Sequence, residues 1–168
     1  MSIRLFNLYF TLPAIAIGLS ISANADISVS DDDIALLEFG GSVNPVCKVR
    51  TNYRNRSINL DLSSSARQKT SGIFIWCNTG QSQAQATYES LNGGNLVNEN
   101  GNVIPYMIQI PQTLDNTSLS TPQTVSQRAG TGVNGSDKGR NIRVIPQVTG
   151  FEYAGTYRDT IQVTVALN

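Results

Sequence analysis

Apolar and polar residues alternate in short runs along most of this chain. In "LEFGGSV", Leu37, Phe39, Gly41 and Val43 share one face. In "SINLDLSSS", Ile58, Leu60 and Leu62 do the same. "GIFIWCNTG" sets Ile73, Ile75 and Cys77 against Phe74 and Trp76. The pattern repeats around Ala84, Ala86 and Tyr88, at Tyr106, Ile108 and Ile110, and at Ile142 and Val144. It closes at Ile161, Val163, Val165 and Leu167, within a last strand predicted over 157–167. A period of two marks a strand with one buried face. Past the first 25 residues no run keeps the 3.6-residue period of a helix. Turn residues punctuate the runs: Gly93-Gly94, Asn100-Gly101 and a long polar stretch over 112–140. Asn100-Gly101 predicts a two-residue hairpin. About seven short strands with such spacing predict an all-β sandwich of antiparallel sheets.

The first 25 residues have a different character. Arg4 precedes an apolar stretch from Leu8 to Ile21, and Ala23-Asn24-Ala25 forms an A-x-A cleavage pattern. This predicts a secretory signal peptide over 1–25, the alternative being an uncleaved membrane anchor. Residues 26–36 then read as an N-terminal extension and 37–168 as one sandwich domain. The alternative for the extension is a short unstructured leader. No later stretch is apolar and long enough to span a bilayer, so stable membrane insertion is not expected. Export places Cys47 and Cys77 in an oxidising compartment, where a disulfide between them is expected. Closing a loop of about 30 residues stabilises a fold by roughly 3–4 kcal/mol in the chain-entropy account.

Charge and chemistry narrow the function. The 12 basic and 12 acidic residues balance, so no basic excess points to nucleic acid. There is no histidine. This removes Ser-His-Asp and Cys-His catalysis and the common zinc sites. Gly130-Thr131-Gly132-Val133-Asn134-Gly135 spells G-x-G-x-x-G without the strand-to-helix context that motif requires, and reads as a surface loop. Asp31-Asp32-Asp33 lacks the spacing of a calcium loop and reads as a solvated acidic linker. Asn55, Asn116 and Asn134 begin N-x-S triplets, a pattern frequent by chance in an Asn- and Ser-rich chain. No catalytic residue, metal site or cofactor is expected, and the chain does not read as an enzyme. A hydrolase on a sandwich scaffold is the least favoured reading.

Three stretches together carry a family resemblance: "GGSVNPVCKV", "SGIFIWCNTG" and "YAGTYRDTIQVTV". Over most of 43–165 the chain resembles the spore coat protein U domain, a family that includes subunits of archaic chaperone–usher pili. Cys47, Cys77 and Ala154–Val165 match its motifs, while Leu167 stands where many pilins carry an aromatic residue. The resemblance implies an immunoglobulin-like sandwich lacking its last strand and completed by donor-strand exchange. It implies that Ile161, Val163, Val165 and Leu167 line an acceptor groove and form the strand that pairs with a chaperone. Ile27, Val29, Ile34 and Leu36 would supply the donor strand to a neighbour. The implied partners are a periplasmic pilus chaperone, an outer-membrane usher and neighbouring pilus subunits. The implied location is a fimbrium on the cell surface, with a role in surface attachment or biofilm. The alternative is a freestanding secreted β-sandwich that coats a surface or binds a ligand.

Overall fold

The computed structural model describes residues 36–52 and 58–167. The predicted signal peptide, and Ile27, Val29 and Ile34 of the candidate donor strand, lie outside those residues. Val43–Asn168 forms one compact unit. Its described residues form nine strands, β1 (Cys47–Thr51), β2 (Gln68–Cys77), β3 (Gln83–Ser90), β4 (Asn95–Val97), β5 (Val103–Ile110), β6 (Leu114–Ser118), β7 (Gln123–Arg128), β8 (Lys138–Pro146) and β9 (Ile161–Leu167). Every strand pairing is antiparallel. One sheet runs β1-β2-β8-β5-β4, with β6 continuing beside the second half of β5. The other sheet runs β7-β3-β9.

The alternation seen in the sequence becomes the core. Ile73, Ile75 and Cys77 of β2 are buried with Ala84, Ala86 and Tyr88 of β3. Ile104, Tyr106, Ile108 and Ile110 of β5 and Ile142 and Val144 of β8 complete the same cluster. Burying each large side chain contributes about 1.5–3 kcal/mol. The strand order places β1, β2, β8 and β5 as the A-B-E-D sheet of an immunoglobulin sandwich, and β3 and β9 as strands C and F. The fold is therefore an all-β, immunoglobulin-like sandwich.

Four sequence expectations are corrected. Residues 36–46 form no strand, and Leu37, Phe39 and Val43 are exposed. The first ladder begins at Cys47, where the backbone first finds a partner in β2. Residues 58–62 also form no strand, although Leu60 and Leu62 pack against the core. The Gln68 side chain takes both backbone groups of Asp61, with Asp61 N–H donating to Oε1 at 2.7 Å and Nε2 donating to the Asp61 carbonyl at 2.6 Å. Those groups are then lost to any ladder. The polar stretch 112–140 holds β6, β7 and the start of β8. The β4–β5 hairpin has a three-residue loop closed by Asn98 N–H donating to the Asn102 carbonyl at 3.1 Å, with Gly101 at φ +81°. The Asn98 side-chain oxygen accepts from the N–H groups of Asn100 and Asn102, which explains the longer loop.

The glycine-rich segment has a structural role. Gly130 pairs beside Trp76, donating to the Ile75 carbonyl at 2.9 Å and accepting from Cys77 N–H at 2.8 Å. A Cβ on Gly130 would sit 1.8 Å from the Ser136 carbonyl oxygen, so only glycine closes this loop. Trp76 Nε1 donates to the Gly132 carbonyl at 2.8 Å, fastening the loop to β2.

Candidate functional site: an open strand edge

Strand β9 is held firmly on one side. It pairs with β3 from Ser90↔Ile161 to Ala84↔Leu167. Its entry is pinned by Asp159. One carboxylate oxygen accepts from Tyr106 Oη and from Ser90 Oγ, each at 2.6 Å, and the other accepts from Asn92 N–H and Thr160 N–H. Leu91 N–H donates to the Thr160 carbonyl at 3.0 Å. Behind this sits Arg158, which exchanges two 2.9 Å backbone hydrogen bonds with Val97 and thereby covers β4. Gly155 lies so close to Asn98 that an added Cβ would be 2.8 Å from Asn98 Nδ2. Much of the closing motif thus serves to deliver β9 in register.

On its other side β9 is bare: among the described residues no strand pairs with that edge. Its inward side chains show the effect. Ile161, Val163 and Val165 pack against the core yet are half-buried, whereas inward residues of β2 and β3 are buried. Leu167 is 40% exposed. Across the opening stands β1, also an edge strand, whose Cys47 Sγ lies 3.9 Å from the Ala166 carbonyl oxygen. Val49 shares the inward face of β1 with Cys47 and pairs opposite the fully buried Ile75, yet it is 39% exposed. The result is an apolar opening between β1 and β9. The Cys47–Cys77 disulfide, joining two residues that face each other in the ladder, lies at the end of it where β9 finishes.

The structure places the four predicted groove residues together on one strand and adds Val49 from the opposite rim. Val49 was missed because β1 shows only three inward positions, Cys47, Val49 and Thr51, too few for a periodicity to register. Leu36, the one described member of the candidate donor strand, is exposed and outside any strand.

The edge is also chemically unusual. Natural sheets guard free edges with charges. β1 carries Lys48 and Arg50, β6 carries Asp115 and β7 carries Arg128. β9, "IQVTVAL", has no charge.

No group of three or more His, Cys, Asp and Glu side chains able to hold a metal occurs among the described residues. The strongly perturbed side chains belong to the core. Burial pushes the Tyr88 phenol up to about 12, partly offset by its hydrogen bond to Gln127. Burial, followed by the hydrogen bond to Asp159, pushes the Tyr106 phenol up as well. An unfolded tyrosine titrates near pH 10. The folded state keeps its protons longer, so this stabilisation is whole below about pH 10 and is lost as the pH rises towards 12. The urea midpoint is expected to be level from pH 8 to about 9.5 and to fall above 10, less steeply for Tyr88→Phe. An unchanged midpoint at pH 12 would contradict the burial of both phenols.

No protein-family model and no curated protein matches the sequence. Among solved structures, the chain is similar to the CsuC–CsuE chaperone–tip adhesion subunit pre-assembly complex from archaic chaperone–usher Csu pili of Acinetobacter baumannii, at 16% identity and a TM-score of 0.40. The likeness covers 75% of this chain and 40% of the length of that one.

Proposed function

We propose that this chain is a structural subunit of a chaperone–usher adhesive pilus that polymerises by donor-strand exchange. The observation that carries the proposal is the uncharged edge of β9, whose inward Ile161, Val163 and Val165 stay half-buried where no strand among the described residues pairs with it. An added strand would satisfy the free backbone groups of β9 and bury its apolar row together with Val49, which is β-strand addition. Burying three to five donor side chains would contribute roughly 5–15 kcal/mol before ordering costs. That is comparable with the whole stability of a domain. On this reading a chaperone fills the opening during export and the extension of the next subunit replaces it, through residues such as Ile27, Val29, Ile34 and Leu36. The role is mechanical and adhesive rather than enzymatic, at the cell surface, with an usher as the assembly platform.

The test is the stability of the isolated chain with and without a synthetic peptide spanning residues 26–38. The free chain is expected to unfold in dilute urea, and the peptide to raise the midpoint by several molar. A chain that refolds alone to full stability and ignores the peptide would be the freestanding sandwich instead.

A further inference from the structure

We propose that the cleft between the β4–β5 hairpin loop and the loop joining β8 to β9 binds a primary ammonium group carried on an aliphatic chain. The cleft lies where β8 finishes and β5 begins, at the end of the sandwich away from the Cys47–Cys77 disulfide. No residue of the β9 opening lines it. Its volume of about 460 Å³ suits a small molecule or a single side chain.

The rim is aromatic and braced. Phe151 and Tyr153 are 91% and 73% exposed. Between them, the Glu152 carboxylate accepts from the N–H and the Oγ of Thr149 and from Gly150 N–H at 2.9 Å. Tyr157 Oη donates to the Tyr153 carbonyl at 2.8 Å. These bonds fix the loop while leaving two large rings in water. Rings held out in this way add little to the core and are ready for a partner at low ordering cost.

The lining is electron-rich. The faces of the Phe151, Tyr153 and Tyr157 rings carry the negative side of the aromatic quadrupole. Glu152 is the only charged residue among those lining the cleft. Its hydrogen bonds, that from Thr149 N–H foremost, hold its carboxyl below the usual carboxylate range, so it is anionic at neutral pH. Gln147 Nε2 donates to the Ile145 carbonyl at 3.1 Å, and Asn102 Nδ2 donates to Asn98 Oδ1 at 3.4 Å. Each amide is thereby oriented, and its oxygen is left as an acceptor without a partner among the described residues. Tyr157 Oη has given its proton to Tyr153 and can only accept.

An anion would meet a carboxylate and three ring faces of the wrong sign. An ammonium group answers every feature. Its charge is attracted to the ring faces and to Glu152. Its three N–H groups match the acceptors. Its aliphatic stem can lie on Val103, which is 55% exposed at the cleft. A small free amine and an exposed lysine side chain share this head.

The experiment titrates the isotopically labelled full chain and follows its amide chemical shifts. The probes are n-butylammonium, 1-butanol as its neutral counterpart, choline, glucose and Nα-acetyl-lysine methylamide. Butylammonium is expected to shift the amides of Asn102, Gln147 and residues 149–153 at about tenfold lower concentration than butanol. Choline, which has no N–H, should bind more weakly than butylammonium. In the Phe151→Leu/Tyr153→Leu chain the preference for butylammonium over butanol should fall to about twofold. Both positions are exposed and leucine keeps their apolar bulk, so that variant is expected to fold normally. Tighter binding of the lysine derivative than of butylammonium would assign the cleft to a peptide lysine, and weaker binding to a free amine; either supports the proposal if both exceed butanol. Equal binding of butylammonium and butanol would overturn it, as would tighter binding of choline or glucose than of butylammonium, or a preference untouched by the double substitution.

Discussion

Changing Val163 and Val165 together to Asp is expected to abolish accumulation of the protein in the periplasm, even with the chaperone that the proposed function calls for co-expressed. Both side chains face inward from β9 and pack on the core, opposite Tyr88 and Ala86 across the ladder. An unpaired charge there costs several kcal/mol on burial. Two of them together are comparable with the 5–15 kcal/mol that holds a typical domain together. The same residues would meet any strand laid against β9, so the variant loses the fold and the partner at once. Gln162→Asp with Thr164→Asp provides the control, because these residues lie on the same strand and face solvent. Immunoblots of periplasmic fractions should show the control at normal level and the Val163/Val165 variant absent. Equal amounts of both would mean that the inward face of β9 is wet, and the groove would not exist.

Deleting residues 27–36 is expected to separate folding from assembly. The first ladder begins at Cys47, well beyond the deletion. The segment entering it is clamped by Asn78, whose side chain accepts from Val46 N–H at 2.7 Å and donates to the Asn44 carbonyl at 2.9 Å. Under the proposed function, the truncated chain should therefore form a chaperone complex in normal yield. It should not dock into a preceding subunit, because Ile27, Val29, Ile34 and Leu36 are gone, and SDS-resistant, heat-labile multimers should be lost altogether. Charged substitutions at 27 and 29, set against the same at 34 and 36, identify the inserted register. Normal multimers from the truncated chain would exclude this extension as donor. Failure to fold with the chaperone would make the extension part of the sandwich itself.

The sandwich was legible wherever a strand buries one face. β2, β3, β5, β8 and β9 alternate cleanly, and the structure places their inward residues as the pattern predicts. β6 ("LDNTS") and β7 ("QTVSQR") were not legible, since both lie at sheet margins and bury too few side chains to leave a period in the sequence. The opposite error occurred at Leu37, Phe39, Gly41 and Val43. Alternation there is as good as in any core strand, yet those residues form no strand and are exposed. Periodicity reports that a segment suits a pleated, half-buried setting; it does not say whose sheet provides it. For the candidate site, the β9 residues could be named from sequence. Val49 and Asp159 could not, because one depends on which strands become edges and the other on a cluster assembled from Ser90, Tyr106 and Thr160.

The position of the disulfide has a mechanical consequence. In a fibre assembled as proposed, tension along the filament would enter each subunit through its leader, load the hydrogen bonds of Asn78 to Asn44 and Val46, and reach its first covalent anchor at Cys47. β1 is an edge strand of five residues, and its ladder alone would peel under a pull applied at one end. Cys47 is the first residue of that strand and is covalently joined to Cys77 on β2, a strand with neighbours on both sides. The load therefore bypasses the hydrogen bonds of β1 and is spread into the core through a bond that does not yield, leaving the rest of β1 slack while the leader is stretched.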